Sequence, residues 1–191
     1  MRVLALDSSG IVASVAVVED DTLVAEYTVN YKKTHSQTLL PMLDELAKMT
    51  ELDMDTIDAI AVAAGPGSFT GLRIGSATAK GLGLALKKPL VEIPTVDALA
   101  YNLYDAKALI CPIMDARRSQ VYTGIYRFED HKLVTVEAQM AVPMMEMIDK
   151  LNERGEEVIF LGDGVPVFAK MIQENLKVPY SFAPAHVNKQ R

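Results

Sequence analysis

The sequence predicts an α/β chain of two lobes, each a mixed sheet flanked by helices. Three observations point there. Short strand-like runs alternate with helical stretches, the succession of elements is written twice with a restart near Asp105, and 191 residues suffice for one large domain or two small lobes. Half the residues are hydrophobic and 23% charged, with 11 Gly and 9 Pro, which excludes disordered, collagen-like and coiled-coil chains. The 19 Lys and Arg against 25 Asp and Glu give a net charge of −6, not the positive surplus of a chain that grips nucleic acid unaided. The single cysteine, Cys111, rules out an internal disulfide and a cysteine-rich metal site. No apolar run reaches the ~18 residues of a membrane span. The start, Met1-Arg2-Val3-Leu4-Ala5-Leu6-Asp7, reads as a buried strand rather than a signal peptide. The expectation is a soluble, cytoplasmic protein with no membrane contact.

In order along the chain, residues 3–7 form an apolar strand ending in the turn residues Asp7-Ser8-Ser9-Gly10. Residues 12–18 and 23–29 follow as strands, with Asp20-Asp21 as the hairpin turn between them. A helix is expected from Ser36, its hydroxyl placed to cap it. Leu39, Leu43 and Leu46 make the apolar stripe, Leu40 and Ala47 widen it, and Met42 and Met49 read as lying outside it. Pro41 removes one backbone bond from that helix. Residues 57–64 return as a buried strand that Gly65-Pro66-Gly67 ends, and a helix runs over 70–86. Residues 89–93 read as a strand and 95–104 as a helix.

The second half repeats the order. Strands are expected at 109–114, 120–128 and 133–138, a helix at 143–151, a strand at 158–161 and a helix at 165–175. A meander followed by βα units gives a mixed sheet with helices on its faces. Two such lobes, 1–104 and 105–191, are the actin, hexokinase and Hsp70-like architecture (ASKHA, with ribonuclease H-like lobes).

Two segments carry chemistry. The Asp7-Ser8-Ser9 turn is short and small enough for main chain to approach the phosphates of a nucleotide. The same residues equally serve to stop a strand and bond their own turn. Gly65-Pro66-Gly67-Ser68-Phe69-Thr70-Gly71-Leu72-Arg73-Ile74-Gly75 places a glycine-rich elbow before a helix N-terminus, the geometry of an anion site. It lacks the Gly-Lys-Ser/Thr ending of a Walker loop and the spacing of a dinucleotide fingerprint. Gly71, Gly75, Ala79 and Gly83 recur at every fourth position. Each interior Gly costs about 1 kcal/mol against Ala, so something packs closely on that ridge. Helix-on-sheet packing inside the lobe accounts for part of it; the remainder suggests an intermolecular helix contact.

These two blocks, with Leu4-Ala5-Leu6-Asp7-Ser8-Ser9, His35-Ser36-Gln37-Thr38-Leu39-Leu40-Pro41-Met42-Leu43 and Met114-Asp115-Ala116-Arg117-Arg118-Ser119-Gln120-Val121-Tyr122, resemble the TsaB (YeaZ) family over nearly the whole chain. That resemblance implies an accessory subunit in forming N6-threonylcarbamoyladenosine at position 37 of ANN-decoding tRNAs. Its implied partners are the catalytic subunit TsaD, of similar fold, and the ATPase TsaE in the larger complex. It also implies a homodimer when the chain is alone, with tRNA met only through the complex.

The catalytic relative is implied to bind metal through two His at i, i+4, whereas Ile93-Pro94-Thr95-Val96-Asp97-Ala98-Leu99-Ala100 here contains no His or Cys. His35, His131 and His186 are scattered without a partner at ligand spacing, so no metal site is expected. The fold's second phosphate turn wants Asp-x-Gly. Asp115-Ala116-Arg117-Arg118 puts a guanidinium there instead, suited to an anion or acidic group of a partner. Asp7, Ser8, Ser9, Asp115 and Arg117 are therefore expected to be a vestigial nucleotide site or interface anion contacts. Gly162-Asp163-Gly164, where the fold contacts adenosine, reads as an ordinary turn. No cofactor of its own is expected, and a nucleotide at the junction with the catalytic subunit is left open. A Ser36–His35 protease is discarded, because sequence neighbours on a helix start do not face one another.

The function expected is thus non-catalytic scaffolding and activation of TsaD. The alternatives are an actin-like ATPase or small-molecule kinase using the inter-lobe cleft, and a simple homodimeric binding protein. The resemblance implies pairing through the helices at 36–49 and 70–86, with Leu39, Met42, Leu43 and Leu46 as apolar knobs and Gly71, Arg73, Gly75 and Ala79 on the second helix. It also implies a final helix beyond Ala185-His186-Val187-Asn188. A trimmed or shortened chain is therefore expected, with lobe two covered by two helices against three in lobe one and part of its sheet bare.

Overall fold

A computed structural model describes residues 1–31 and 34–190. They divide into two compact units, Met1–Thr95 with Gln190, and Val96–Lys189, so the division falls at Thr95 rather than at Tyr104.

The first unit is a five-stranded sheet of β1 (Arg2–Asp7), β2 (Ala13–Glu19), β3 (Thr22–Val29), β4 (Ala59–Gly65) and β5 (Leu90–Pro94) in the order β3-β2-β1-β4-β5. β1, β2 and β3 are antiparallel neighbours, with Leu6 opposite Val15, and Asp20-Asp21 make the two-residue turn between Glu19 and Thr22. β1 pairs parallel with β4, and β4 with β5. Helices α1 (His35–Met49) and α2 (Phe69–Leu86) pack on this sheet and on each other. Leu4, Leu6, Val15, Val17, Ile60 and Val62 form the sheet side of the core.

Two expectations about α1 are corrected. Met42 is buried with Leu39, Leu43 and Leu46, because i, i+3, i+4 and i+7 fall on one helical face and the core-facing stripe is all four. Leu40 and Met49 are the outward apolar residues, 53% and 78% exposed. The helix begins at His35 with Thr34 in the capping position and no side-chain cap bond; Ser36 lies inside it and its hydroxyl reaches only Thr34 Oγ1.

The second unit repeats the sheet. β6 (Leu109–Asp115), β7 (Gln120–Glu129), β8 (Lys132–Pro143), β9 (Val158–Leu161) and β10 (Tyr180–Phe182) run in the order β8-β7-β6-β9-β10, with the same antiparallel and parallel pairings. Helices α4 (Met144–Arg154) and α5 (Val165–Asn175) cover the face carrying Cys111, Ile113, Val121 and Phe160. The other face, with Ile110, Met114, Tyr126 and Leu161, packs against Val96, Leu99 and Ala100 of α3 (Thr95–Tyr101), whose Asp97 accepts from the Tyr126 hydroxyl at 2.6 Å. The helix assigned to lobe one on sequence thus covers the second sheet, so neither face of that sheet is left without a helix. β6 is apolar on both sides as a result, the pattern of a strand buried on two faces.

Candidate functional site

In the first unit, β1 delivers Asp7 to a turn that is closed from within. The Ser9 N–H donates to Asp7 Oδ1 at 2.7 Å, the Ser8 hydroxyl to the Gly71 carbonyl at 2.8 Å, and the Ser68 N–H to the Ser9 carbonyl at 2.6 Å. Ser8 and Ser9 are buried. Burial raises the Asp7 carboxyl above the ordinary carboxylate pKa, against the lowering effect of its bonds to Ser9. The elbow glycines serve this closure. A Cβ on Gly67 would run into the Ser9 carbonyl, one on Gly71 into the Ser8 carbonyl, and one on Gly75 would lie 2.5 Å from Ser8 Oγ. Gly71, Gly75 and Ala79 are all buried against their own unit. The ridge expected to face a partner is therefore accounted for by the turn and sheet beneath it. His35 joins the same region: its Nε2–H donates to the Gly10 carbonyl at 2.8 Å, tying the start of α1 to the β1–β2 turn.

The solvent side of the same two helices is a different surface. On α2 it carries Phe69, 69% exposed, Arg73, Ala77, Lys80, Gly81 and Leu84, 83% exposed. The Arg73 guanidinium lies 3.9 Å from the centre of the Phe69 ring, and both border a cavity of about 330 Å³ that also includes Leu72, Ser76 and Glu92. On α1 it carries Leu40 and Met49. Of the interface residues expected from sequence, only Arg73 faces outward. Leu40 and Leu84 lie one residue past a buried position of their helix, whereas Phe69 and Met49 stand at helix ends, where periodicity gives no signal.

In the second unit, Asp115 ends β6 as Asp7 ends β1. Its Oδ1 accepts the Arg117 N–H at 2.8 Å, the same residue-plus-two bond that Asp7 makes, and its own N–H donates to Asp163 Oδ1 at 3.2 Å. Arg117, Arg118 and Ser119 follow with φ of 69°, 53° and 59°, three non-glycine residues in succession in the left-handed region. Each costs about 1–2 kcal/mol there. Unlike Ser8 and Ser9, these residues are exposed. The Gly162-Asp163-Gly164 turn is committed internally: Gly162 N–H donates to the Asn188 carbonyl at 2.8 Å, and a Cβ on Gly164 would lie 2.9 Å from the Ile113 carbonyl. Burial raises the Asp163 carboxyl, the Asp115 N–H opposes this, and the Asp115 charge adds to the rise. Burial also pushes the Cys111 thiol up to about 12, so it has no thiolate character near neutrality. Among the described residues, no three His, Cys, Asp or Glu side chains gather to hold a metal ion, and no helix is long and apolar enough to cross a membrane.

Two mixed sheets of identical strand order flanked by helices define an actin-like protein, and the ethanolamine utilization protein EutJ of Carboxydothermus hydrogenoformans shares that fold at a TM-score of 0.52 and 15% identity, over 98% of this chain and 87% of its own. The family model described as TsaD, tRNA N6-adenosine threonylcarbamoyltransferase, matches residues 22–191. The tRNA threonylcarbamoyladenosine biosynthesis protein TsaB of Bacillus subtilis is 36% identical over 92% of this chain and 77% of its own length; that of Escherichia coli is 29% identical over 86% and 72%. The solved structure of YeaZ from Pseudomonas aeruginosa superposes with a TM-score of 0.77 at 25% identity, covering 98% of this chain and 86% of that one. The chain belongs to the TsaB (YeaZ) branch of the TsaD-type family.

Proposed function

We propose that the chain is a non-catalytic subunit that binds and supports TsaD in the assembly forming N6-threonylcarbamoyladenosine at position 37 of ANN-decoding tRNAs. The observation that carries this reading is the contrast between the turns and the helices. The turns that would hold a nucleotide are occupied by the protein's own hydrogen bonds, with Ser8 on Gly71, Ser68 on Ser9 and Gly162 on Asn188. The outer side of α1 and α2 instead leaves Leu40, Met49, Phe69 and Leu84 in solvent. Large apolar side chains around an exposed arginine are the composition of a protein interface. The catalytic partner is accordingly bound through this side, with Arg73 stacked on Phe69 at its centre. The homodimer uses the same surface, and TsaE joins only the larger complex. Names of the relatives support the pathway, since the B. subtilis and E. coli proteins are both designated tRNA threonylcarbamoyladenosine biosynthesis proteins.

The test is co-purification with the TsaD protein of the same genome, followed by threonylcarbamoyl transfer to a tRNA transcript. TsaD alone is expected to be inactive or weak and the pair active. Transfer by TsaD that is indifferent to this chain, or magnesium-dependent ATP turnover by the chain by itself, overturns the reading.

A further inference from the structure

We infer that the Arg117-Arg118-Ser119 turn is a contact for the phosphodiester backbone of tRNA, engaged when the chain is assembled with its catalytic partner. The inference rests on the functional reading above.

The turn is rigid and strained at once. Ala116 N–H donates to the Gln120 carbonyl and Gln120 N–H to the Arg117 carbonyl, both at 3.0 Å, while Met144 N–H at the start of α4 donates to the Ser119 carbonyl at 3.1 Å. These bonds fix three consecutive left-handed residues where glycine would sit without strain, yet two of the three are arginine. Persistent strain at an exposed turn points to a use for the side chains it presents.

Those side chains are open to solvent. The Arg117 side chain is 87% exposed and makes a long salt bridge of 3.6 Å to Asp115, an exposed pairing of small worth that a phosphate can displace. Arg118 is exposed and has no carboxylate within ion-pair distance among the described residues. Two adjacent guanidinium forks match the oxygens of phosphate, and such contacts position a nucleic acid without reading its sequence. An acidic protein surface is the competing occupant. Protein interfaces surround their arginines with several apolar or aromatic anchors; residues 116–120 contain no large apolar side chain, and on the adjoining α4 Met145 is 38% exposed. Phosphate needs no such rim. With a net charge of −6, the chain alone binds tRNA weakly, so this contact adds to a site held mainly by the partner.

The experiment measures affinity of the heterodimer with TsaD for a tRNA transcript across a salt series. It compares the wild-type chain with Arg117→Ala/Arg118→Ala, with the Lys pair, and with the Gly pair. The Ala pair is expected to weaken binding and lower the salt slope by about 2, one for each phosphate no longer neutralised. The Lys pair should keep the slope because it keeps the charge. The Gly pair should bind as poorly as the Ala pair but melt at a higher temperature than wild type, since it removes charge and strain together. An unchanged slope in the Ala pair overturns the inference while leaving the functional reading intact. Weaker association with TsaD in the absence of tRNA makes the turn a protein contact, which also overturns it. A wild-type chain that fails to associate with TsaD overturns the functional reading itself.

Discussion

The Ser8 hydroxyl donates to the Gly71 carbonyl at 2.8 Å across 63 residues of sequence, and a Cβ on Gly75 would lie 2.5 Å from the same hydroxyl oxygen. The first helical turns of α2 are thus seated on the turn after β1 with no room for a side chain between them.

Glycines of one helix should therefore respond with opposite signs. Gly75→Ala places a methyl against Ser8 and should destabilise by about 1–3 kcal/mol, as overpacking does. Gly81 has nothing within 4 Å of a built Cβ, so Gly81→Ala should stabilise by about 0.5–1 kcal/mol through helix propensity. Thermal unfolding of the two variants checks both signs.

Substitutions on the outer side should separate association from folding. Leu84→Asp and Phe69→Ala are expected to weaken binding of TsaD by at least about 30-fold if they strike an anchor of about 2 kcal/mol. Folding stability should change by no more than about 0.5 kcal/mol. Met42→Asp buries a charge in the core and should prevent folding outright. Sedimentation and denaturant melts on the same samples distinguish these outcomes. On the proposed reading homodimer and heterodimer share the surface, so adding TsaD should dissociate the homodimer.

The buried Asp7 gives a pH dependence whose sign is fixed. Its folded-state pKa is raised by burial, so the folded state holds the proton more tightly than the unfolded state. Stability from this group is present below the ordinary Asp value of 3.8 and is lost as pH rises through the folded value. Asp7→Asn keeps an acceptor for the Ser9 N–H and removes the charge. It should gain stability relative to wild type as pH rises from acid to neutral, measured as a difference in melting temperature. A constant difference across pH would show that Asp7 does not titrate in this way.

Cys111, with its thiol pushed up to about 12, should be silent to thiol reagents near pH 8 in the native protein and react only on unfolding. Its stability contribution should fall as pH rises above 9.0, the value of an unburied thiol, towards about 12. Labelling rates that track global unfolding across a denaturant series check this.

The strand and helix order was legible because period-2 and period-3.6 patterns are written in consecutive residues. What escaped was set by distance or brevity. β10 has three residues and draws its place from pairing with β9, and the single helical turn Met54–Thr56 rests on one Asp53 side-chain cap. The extension of β8 to Pro143 comes from its ladder with β7. Helix α3 was legible as a helix but not as a cover for the second sheet, since Val96, Leu99 and Ala100 say only that one face is apolar. The Gly71–Gly75 ridge announced close packing correctly, yet a sequence does not say whose backbone approaches. The left-handed run at Arg117 left no local signal, because Gly or Asn is the usual mark of such conformations and neither stands there.

Asp7 and Asp115 end equivalent strands of identically ordered sheets, and each accepts the N–H two residues on. The two halves thus share one layout, down to the bond that closes the turn after the first strand. One aspartate turn faces inward as masonry for a helix, and its counterpart stands at the surface under constraint. The two turns are then a natural paired experiment: grafting Ser8-Ser9 into positions 116 and 117 asks whether chemistry follows the letters or the place where they stand.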